Sequence, residues 1–459
     1  MSLLLISPLS PATGNRATAL RLASLLSAQL PAQRLVDAAA DDAASQFAGA
    51  CAADGLGLCI AIHASRAGRV VLADAGAALP PQVPLVLVLG GTDINHEVDD
   101  ALDLGAAALD SAGCDGVGSS GLGSAAVDPR AAGGPSSGLP STRAEVIASV
   151  ISRAAGVVAF TPAMGERYLR FVERVGVAEG GRARSPSLLE ADRRKLRIIP
   201  QSVDVSAAGL SASRVRGGSL GAGNRGFATE PATADADAAV PHVALRAHLG
   251  LPASAVVLLL VAGVRPVKDP LFLVPAMREW HARDPALQLV VVGPSLDEQL
   301  TAALVAECRR GCGMAACCQC GEGGSPHAGS SCGGLWYLPP VPRATLLRWL
   351  PECDIALNSS LSEGQCSALL EAQALDVPVV ARRNEGNACV IRNGETGMLF
   401  DTPGEAVDAC RSLLGSEKLR ERIIHAARAD VVLRHSARAE AQAWRRLLED
   451  LGVAVAPQE

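Results

Sequence analysis

Short apolar runs alternate with helical patterns along the first half of the chain. A short apolar run that ends at a small or polar residue is typical of a buried strand in a parallel sheet. The first run ends at Pro8, and a helical pattern of apolar residues then continues to Leu26. Because strands that alternate with helices form parallel sheets covered on both faces, this half is predicted to be an α/β domain. Its predicted strands are 3–7, 56–62, 83–89, 157–160 and 197–199.

The same alternation begins again near Val256 and continues to the end of the chain. Two similar α/β halves are expected to bind a ligand in the crevice between them, at the carboxyl ends of their strands. The predicted strands of the second half are 256–262, 287–292, 335–338, 354–357 and 377–381. Its predicted helices are 270–280, 344–350, 365–374 and 436–451.

Three segments consist mainly of small residues and carry too few apolar side chains to offset the entropy lost on ordering. We interpret 113–141 as a disordered insertion, 206–239 as a disordered linker and 308–334 as a Gly- and Cys-rich insertion. The predicted boundaries are 1–205 for an N-terminal domain, 206–240 for a low-complexity linker, 241–430 for a C-terminal domain and 431–459 for a terminal helix and tail.

The composition is that of an ordinary globular protein and excludes several classes. The chain has 459 residues, 49% of them apolar and 19% charged, so wholesale disorder is excluded. A net charge of -6 argues against a protein that coats nucleic acid or an anionic membrane. No apolar run reaches the roughly 20 residues that span a bilayer, and no basic region of a signal peptide is present. Together with 13 cysteines, an odd number, this predicts a cytoplasmic protein with free thiols.

A pair of glutamates, Glu363 and Glu371, follows the predicted strand 354–357. We expect a helix to begin at about Gly364, with its unpaired N–H groups and positive dipole end available to a diphosphate. Eight residues of helix rise about 12 Å, so the two carboxylates are expected to reach hydroxyl groups at opposite ends of an elongated ligand. The alternative is that the dipole merely favours Glu363 and that Glu371 is solvated.

The loop after the predicted strand 256–262 carries two cations, Arg265 and Lys268. Cations in a loop that leads from a strand into a helix are suited to clamp phosphate oxygens, and arginine can do so through two nitrogens. The alternative is that both are surface cations that contribute little to stability.

These two stretches carry a resemblance to a known family. With a Gly-x-Arg-x-x-Lys loop followed by a Glu-x7-Glu motif, the second half resembles the catalytic domain of group 1 glycosyltransferases, the family 4 retaining enzymes. The resemblance implies the α/β GT-B fold, in which two Rossmann-like domains with parallel sheets face each other across a cleft. It also implies a C-terminal helix that crosses back to the first domain. The motif residues are Gly263, Arg265 and Lys268 in the loop, and Glu363 and Glu371 in the pair.

The resemblance further implies a retaining, metal-independent transferase that moves a hexosyl group from a nucleoside diphosphate sugar to an unknown acceptor. Arg265 and Lys268 would hold the diphosphate and stabilise the charge that develops on it. Glu363 would lie near the transferred sugar, and Glu371 would contact the ribose of the nucleotide. Donor contacts through the backbone would come from Gly263, Gly364 and Gln365.

No cofactor, nucleic acid or transmembrane segment is expected. Two alternatives stay open: a non-catalytic sugar-nucleotide-binding protein and a sugar-nucleotide epimerase of the same fold. A binding protein would have lost the cationic loop or the paired glutamates, and both are present.

The first half resembles one subgroup of that family, the glycosyltransferase 1 domain-containing protein 1 type. The resemblance implies that this half binds the acceptor and presents the loop Gly14-Asn15 to the donor. His63 follows the predicted strand 56–62, where family members place a functional histidine, although a histidine there can also be a solvated cap. Asp93 is a further candidate functional residue. It lies in a Gly-Gly-Thr-Asp sequence, and a turn alone would explain the pair of glycines. The matching segments are 13–15, 18–21, 90–95, 267–270 and 280–281.

Three weaker patterns are set aside. A G-x-G-x-x-G spelling at 116–121 follows no strand, so it lacks the context of a dinucleotide site. A glycosylation sequon at Asn358 ends a predicted core strand. The cysteines between Cys308 and Cys332 include one pair at metal-ligand spacing but no second pair, so unpaired thiols are the expectation.

Overall fold

The chain divides into two compact units, and each is described by itself. The N-terminal unit comprises Met1–Pro200 together with Ala441–Glu459, and the C-terminal unit comprises Gln201–Glu440. The predicted insertion at 113–141, the linker at 206–239 and Asp93 lie outside the described residues. The computed structural model describes residues 1–9, 14–53, 55–73, 79–90, 143–178, 186–205, 243–310 and 333–455.

The N-terminal unit alternates strands with helices. Its strands are β1 (Ser2–Ser7), β2 (Ala32–Asp37), β3 (Leu56–Ile62), β4 (Leu85–Val88), β5 (Gly156–Ala159) and β6 (Leu196–Ile198). Its helices are α1 (Gly14–Leu26), α2 (Ala43–Cys51), α3 (Arg66–Leu72), α4 (Arg143–Arg153), α5 (Pro162–Ala178) and α6 (Pro186–Lys195).

The six strands of this unit form one parallel sheet in the order β2-β1-β3-β4-β5-β6. Strands β1 and β3 lie side by side, with Leu5 opposite Ile60. Apolar residues are buried along both strands, as expected for a parallel sheet covered on both faces. The chain reverses its direction of travel across the sheet between β1 and β3, which makes their carboxyl ends the switch point of this sheet.

The C-terminal unit repeats the alternation. Its strands are β7 (Val256–Val261), β8 (Leu287–Val292), β9 (Leu335–Leu338), β10 (Ile355–Asn358), β11 (Val379–Arg382) and β12 (Met398–Phe400). Its helices are α7 (Leu245–His248), α8 (Val274–Arg283), α9 (Glu298–Arg310), α10 (Arg343–Trp349), α11 (Ser367–Ala374), α12 (Glu385–Val390), α13 (Pro403–Gly415) and α14 (Glu417–Arg434), and α15 (Ala437–Asp450) follows them.

The second sheet is also parallel and has the order β12-β11-β10-β7-β8-β9. Strands β7 and β10 are neighbours, with Leu259 opposite Ala356. From β7 the chain first builds outward through β8 and β9, and then returns to the other side of β7 to add β10. The switch point of this sheet therefore lies at the carboxyl ends of β7 and β10, where open α/β sheets bind ligands.

Helix α15 begins in the C-terminal unit and continues into the N-terminal one, which includes residues from Ala441 onward. Its apolar side chains Trp444, Leu447 and Leu448 are buried in the N-terminal core. Burial of three large apolar side chains explains why this segment packs with the N-terminal unit. No described helix is long and apolar enough to cross a membrane.

The structure departs from the predicted elements in a few places. Strands β2 and β12 and several helices, α2 among them, were not predicted. Both strands lie at the edge of their sheets; β2 lacks a continuous apolar run, and β12 has only three residues. Helix α8 begins at Val274 rather than at Pro270, since a short 3₁₀ turn and a loop come first. Helix α9 extends to Arg310, so the first three residues of the predicted insertion at 308–334 are helical.

Candidate functional site

Most predicted donor-site residues of the C-terminal unit lie in two loops at the carboxyl edge of the second sheet, and Glu371 lies on helix α11, which follows the second loop. One loop follows β7 and contains Gly263, Arg265 and Lys268. The other follows β10 and contains Glu363 and Gly364. Because β7 and β10 flank the switch point, the fold brings both loops to the same crevice.

Hydrogen bonds hold these two loops against each other. The N–H of Leu361 donates to the carbonyl oxygen of Val267 at 2.9 Å, and the Ser359 hydroxyl donates to the carbonyl oxygen of Lys268 at 2.9 Å. These contacts link residues about ninety positions apart in the sequence. The backbone that carries Lys268 is therefore fixed by the loop that carries Glu363.

Lys268 and Glu363 form a buried ion pair, with Nζ and Oε1 2.5 Å apart. The same carboxylate oxygen accepts hydrogen bonds from Ser360 Oγ at 2.7 Å and Asn358 Nδ2 at 3.0 Å. Burial raises the pKa of Glu363, but the charge of Lys268 and the hydrogen bonds from Lys268, Ser360 and Asn358 outweigh it and hold that pKa below its ordinary value. Glu363 is therefore a carboxylate at neutral pH.

Arg265 differs from Lys268 in having no anion to neutralise it. Among the described residues its guanidinium has no hydrogen-bond or carboxylate partner, and its Nε is buried without an acceptor. A buried donor without a partner is costly, and an anionic ligand in the crevice would supply the missing acceptor. This observation agrees with the predicted phosphate-binding role of Arg265.

Glu371 lies one helical turn into α11 and pairs with an arginine that the sequence did not indicate. Arg343 donates to Oε1 of Glu371 from Nη2 at 2.7 Å and from Nε at 3.1 Å. Burial raises the pKa of Glu371, the charge and hydrogen bonds of Arg343 oppose this, and the Asp204 carboxylate adds to the rise, so that the pKa lies above its ordinary value. Arg343 and Glu371 are 28 positions apart, and no local pattern links them.

The start of α11 corrects one expectation. The helix begins at Ser367, after a cap residue, Cys366, with extended backbone, and not at about Gly364. Glu363 thus precedes the helix, and the rise of about 12 Å does not describe its separation from Glu371. Asn358 Nδ2 lies 3.3 Å from the Cys366 sulfur, which ties the cap residue to the end of β10.

Gln365 is held by its side chain on the C-terminal unit. Its Oε1 accepts from the N–H of Gln201 at 3.0 Å, and its Nε2 lies 2.9 Å from Nδ1 of His435. The side-chain amide is thereby engaged within the protein. The predicted contact with a donor would involve the backbone at Gly364 and Gln365.

Close packing explains two glycines of the site. A Cβ at Gly386 would lie 2.2 Å from the carbonyl oxygen of Glu363, so any side chain there would displace the backbone beside the ion pair. A Cβ at Gly263 would lie 2.7 Å from Cδ1 of Leu296, a side-chain atom that can move. The requirement for glycine is therefore stronger at Gly386 than at Gly263.

Two further polar residues support the site and had no predicted role. Asn387, fully buried, donates from Nδ2 to Oδ1 of Asn358 and to the carbonyl oxygen of Arg382, each at 2.9 Å. Arg382 in turn donates to Asp269 at 2.9 Å, beside Lys268, and its guanidinium lies 3.8 Å from the centre of the Phe272 ring.

The predicted residues of the N-terminal unit lie at the switch point of the first sheet. Gly14 and Asn15 begin α1 after β1, and His63 follows β3 directly. His63 has a left-handed backbone (φ 79°), a strained conformation for a side-chain-bearing residue. Its Nδ1 accepts from the N–H of Arg66 at 3.3 Å, at the start of α3.

Through this bond the His63 ring accepts the first backbone N–H of α3. In neutral His63 the proton is then on Nε2. Gly14, Asn15 and His63 belong to one unit and the two-loop crevice to the other.

The described residues contain no group of three or more His, Cys, Asp or Glu side chains placed to hold a metal ion. Of the Cys-rich segment, the described part includes Cys308 on α9, and the cysteines from Cys312 to Cys332 lie outside it. Cations at the crevice come from Arg265 and Lys268.

Comparison with known proteins identifies the region around the glutamate pair. Residues 336–430 match the family of group 1 glycosyl transferases. The chain carries a group 1 glycosyltransferase domain. The match includes the glutamate pair of the two-loop crevice and Arg343, and it confirms the family resemblance.

Relatives carry the same family name. Glycosyltransferase 1 domain-containing protein 1 of Xenopus tropicalis is 31% identical over 194 residues, which are 42% of this chain and 50% of that protein. D-inositol 3-phosphate glycosyltransferase of Nocardioides sp. is 31% identical over 223 residues, 46% of each chain. The chain thus spans about half the length of the curated relatives that it matches.

Solved structures confirm the predicted fold class. Anabaena HepE in complex with UDP-glucose has a TM-score of 0.60 at 14% identity, over 98% of this chain and 99% of HepE. Sucrose-phosphate synthase of Thermosynechococcus elongatus has a TM-score of 0.60 at 15% identity, over 99% of this chain and 100% of that one. With two parallel six-stranded sheets, this chain has the GT-B fold.

Proposed function

We propose that this protein is a metal-independent, retaining transferase that moves a hexosyl group from a nucleoside diphosphate sugar to an acceptor yet to be identified. The observation that carries the proposal is the cationic loop at the switch point. Arg265 has no protein acceptor among the described residues, and Lys268 lies beside it in the same loop. A diphosphate supplies the anion that this loop lacks.

The transfer breaks the bond between the anomeric carbon of the sugar and the oxygen of the diphosphate. Negative charge then develops on the leaving diphosphate, and a new bond forms to an acceptor oxygen that gives up its proton. Arg265 and Lys268 stabilise that charge in a partly buried site, where fixed cations act more strongly than in water. They take the part that a divalent cation plays in other transferases.

The two glutamates take separate roles in this proposal. Glu363, an anion beside Lys268, lies near the transferred sugar, where it accepts from sugar hydroxyls and balances positive charge on the ring. Glu371 accepts from the ribose of the nucleotide. Gly263, Gly364 and Gln365 contribute backbone groups to the donor. Gly14 and Asn15 contribute a loop to the donor and His63 takes part in the reaction, assignments that rest on the family resemblance.

The known proteins support the donor class. The relatives are named as glycosyltransferases, and HepE has been solved with UDP-glucose, a nucleoside diphosphate hexose. The proposal includes a cytoplasmic location, which the free thiols of the described cysteines support.

Donor binding tests the proposal most directly. UDP-glucose, GDP-mannose and ADP-glucose are titrated against the full chain by calorimetry, in buffer with EDTA, for wild type and for Arg265→Ala/Lys268→Ala. We expect one of these donors to bind wild type, and the double variant to lose at least about 100-fold in affinity, the scale of two charged hydrogen bonds. Arg283→Gln is the matched control, because Arg283 forms an exposed ion pair at the end of α8, before the amino end of β8.

Equal donor affinity in the folded double variant would contradict the phosphate clamp. Product analysis then separates the alternatives for a donor that binds. Release of the nucleotide with transfer of the sugar to an acceptor, and an unchanged anomeric configuration by NMR, is the expected result. A changed sugar still attached to its nucleotide would indicate an epimerase. Donor binding with neither change, across a library of acceptors, would indicate a binding protein.

A further inference from the structure

We infer that Arg343 is the residue that prepares Glu371 to bind the ribose of a nucleotide, by occupying one carboxylate oxygen and leaving the other to the ribose hydroxyls. This inference rests on the proposed function. It assigns to the site a positioning residue that lies on a different element, α10, at the start of the helix.

The geometry of the pair is one-sided. Nε and Nη2 of Arg343 both donate to Oε1 of Glu371, at 3.1 and 2.7 Å, rather than one to each oxygen. Nη2 also donates to the carbonyl oxygen of Asp204 at 2.6 Å. The guanidinium is therefore held at three points, and its plane is fixed relative to the carboxylate.

The second oxygen of Glu371 is the one left for a ligand. Among the described residues Oε2 of Glu371 has no hydrogen-bond partner, although the side chain is only 9% exposed. An ionised carboxylate accepts hydrogen bonds and does not donate them, so its complement is a group with hydroxyl donors. A ribose presents two neighbouring hydroxyls.

Arg343 also favours the ionised form of Glu371, which accepts hydrogen bonds. The carboxylate is buried and close to the carboxylate of Asp204, and both effects raise its pKa, while Arg343 opposes them. Removal of the guanidinium leaves the burial and Asp204 in place. Glu371 then takes up a proton at a higher pH than it does in wild type.

The experiment compares the affinity for UDP with that for 2′,3′-dideoxy-UDP. If UDP does not bind, GDP and its dideoxy form are the second pair, and ADP and its dideoxy form are the third. Affinities are measured by calorimetry on the full chain for wild type, Arg343→Gln, Arg343→Lys, Glu371→Gln and the control Arg283→Gln. Wild type is expected to prefer the ribonucleotide by about tenfold or more, the scale of a hydrogen bond to a charged acceptor. Arg343→Gln is expected to lower this ratio to within about threefold, as Glu371→Gln does.

A positioning role predicts two further results. The double variant Arg343→Gln/Glu371→Gln should bind no more weakly than Glu371→Gln alone, because the arginine acts through the glutamate. As pH is lowered from 8 to 5, ribonucleotide affinity of Arg343→Gln should fall at higher pH than that of wild type. Arg343→Lys keeps the charge but has no second nitrogen for Oε1, so it should retain the wild-type pH profile and regain only part of the ratio.

The outcomes separate the two proposals. If no nucleotide binds wild type, the proposed function is wrong, and the role of Arg343 falls with it. If a nucleotide binds and the ribo-to-dideoxy ratio of folded Arg343→Gln equals that of wild type, the proposed function stands and the role of Arg343 is overturned. If Arg343→Gln does not fold, Arg343→Lys provides the test. A wild-type ribo-to-dideoxy affinity ratio in Arg343→Lys, together with a shifted pH profile of its ribonucleotide affinity, would also overturn the role of Arg343.

Discussion

Glu363 and Glu371 are both buried carboxylates, and each pairs with one cation, but their pKa values move in opposite directions. Glu363 faces an ammonium group that is only 16% exposed, and it receives two further hydrogen bonds on the same oxygen. Glu371 faces a guanidinium that is 47% exposed and lies near a second carboxylate, that of Asp204.

The difference shows that pairing with a cation does not by itself set the direction in which the pKa of a buried carboxylate shifts. Solvent weakens the attraction of an exposed guanidinium, so burial dominates at Glu371. A buried ammonium and two polar donors overcome burial at Glu363. The charge of Glu363 is thus secured by the protein, whereas Glu371 has one oxygen, Oε2, without a hydrogen-bond partner among the described residues.

The largest effect is expected when the cation of the Glu363 pair is removed. Lys268→Met leaves a buried carboxylate without its cation and should lower the free energy of unfolding by about 3 kcal/mol at pH 7. Urea unfolding of the full chain measures it. The matched control Lys268→Met/Glu363→Gln removes both charges and should recover most of the loss.

The same variant should invert the pH dependence. In wild type the folded-state pKa of Glu363 lies below its ordinary value of 4.5, so the stability it contributes is present above pH 4.5 and lost as pH falls through the folded-state pKa. In Lys268→Met burial prevails, and stability should instead decrease as pH rises from 4.5 toward 7. A variant that loses stability on acidification, as wild type does, would contradict this account of Glu363.

A smaller effect is expected from displacing Glu363 without changing any charge. Gly386→Ala places a Cβ against the carbonyl oxygen of Glu363, where the neighbouring atom is backbone and cannot rotate away. The free energy of unfolding should fall by about 2 kcal/mol, and donor affinity should also fall. Gly263→Ala is the matched control, since Cδ1 of Leu296 can move, and its loss should be smaller than that of Gly386→Ala. Equal losses would show that the packing at Gly386 does not hold the Glu363 loop.

The smallest effect is expected at Glu371. Its folded-state pKa is raised, so the stability linked to its titration is full below pH 4.5 and declines as pH rises through the folded-state pKa. Glu371→Gln removes that decline, and its free energy of unfolding at pH 7 should be within about 0.5 kcal/mol of wild type or above it. Urea unfolding between pH 4 and pH 7 measures the difference. A loss as large as that of Lys268→Met would show that Glu371 is a structural ion pair after all.

Sequence reasoning succeeded where neighbouring residues carry the signal. The parallel strands of both units other than the edge strands β2 and β12 were predicted because each is a short apolar run between polar segments, and β3 and β8 begin and end where expected. Strand β2 escaped because an edge strand that is half exposed has no such run. The predicted start of α11 was too early. The side chain of Gln365 hydrogen-bonds to Gln201 and His435, which are distant in the sequence, and Gln365 lies outside the helix.

Family motifs identified Arg265, Lys268, Glu363 and Glu371. The fold places the loops that carry the first three at the carboxyl ends of β7 and β10, and Glu371 on the helix that follows the second loop. The motifs did not reveal Arg382 or Arg343, since each contacts the site through a partner tens of residues away. Contacts between residues far apart in the sequence produce no periodic pattern of hydrophobic and polar positions along the chain.

The sequence by itself determined the alternation of strands and helices, the family of the domain and the identity of the charged groups, because hydrophobic periodicity and motif spacing are local properties. Only the tertiary structure decided which charges meet. The order of strands set β10 beside β7, which paired Lys268 with Glu363 and left Arg265 without an acceptor among the described residues. The charge state of each carboxylate then followed from burial and from the donors that surround it, and these depend on contacts that only the folded chain creates.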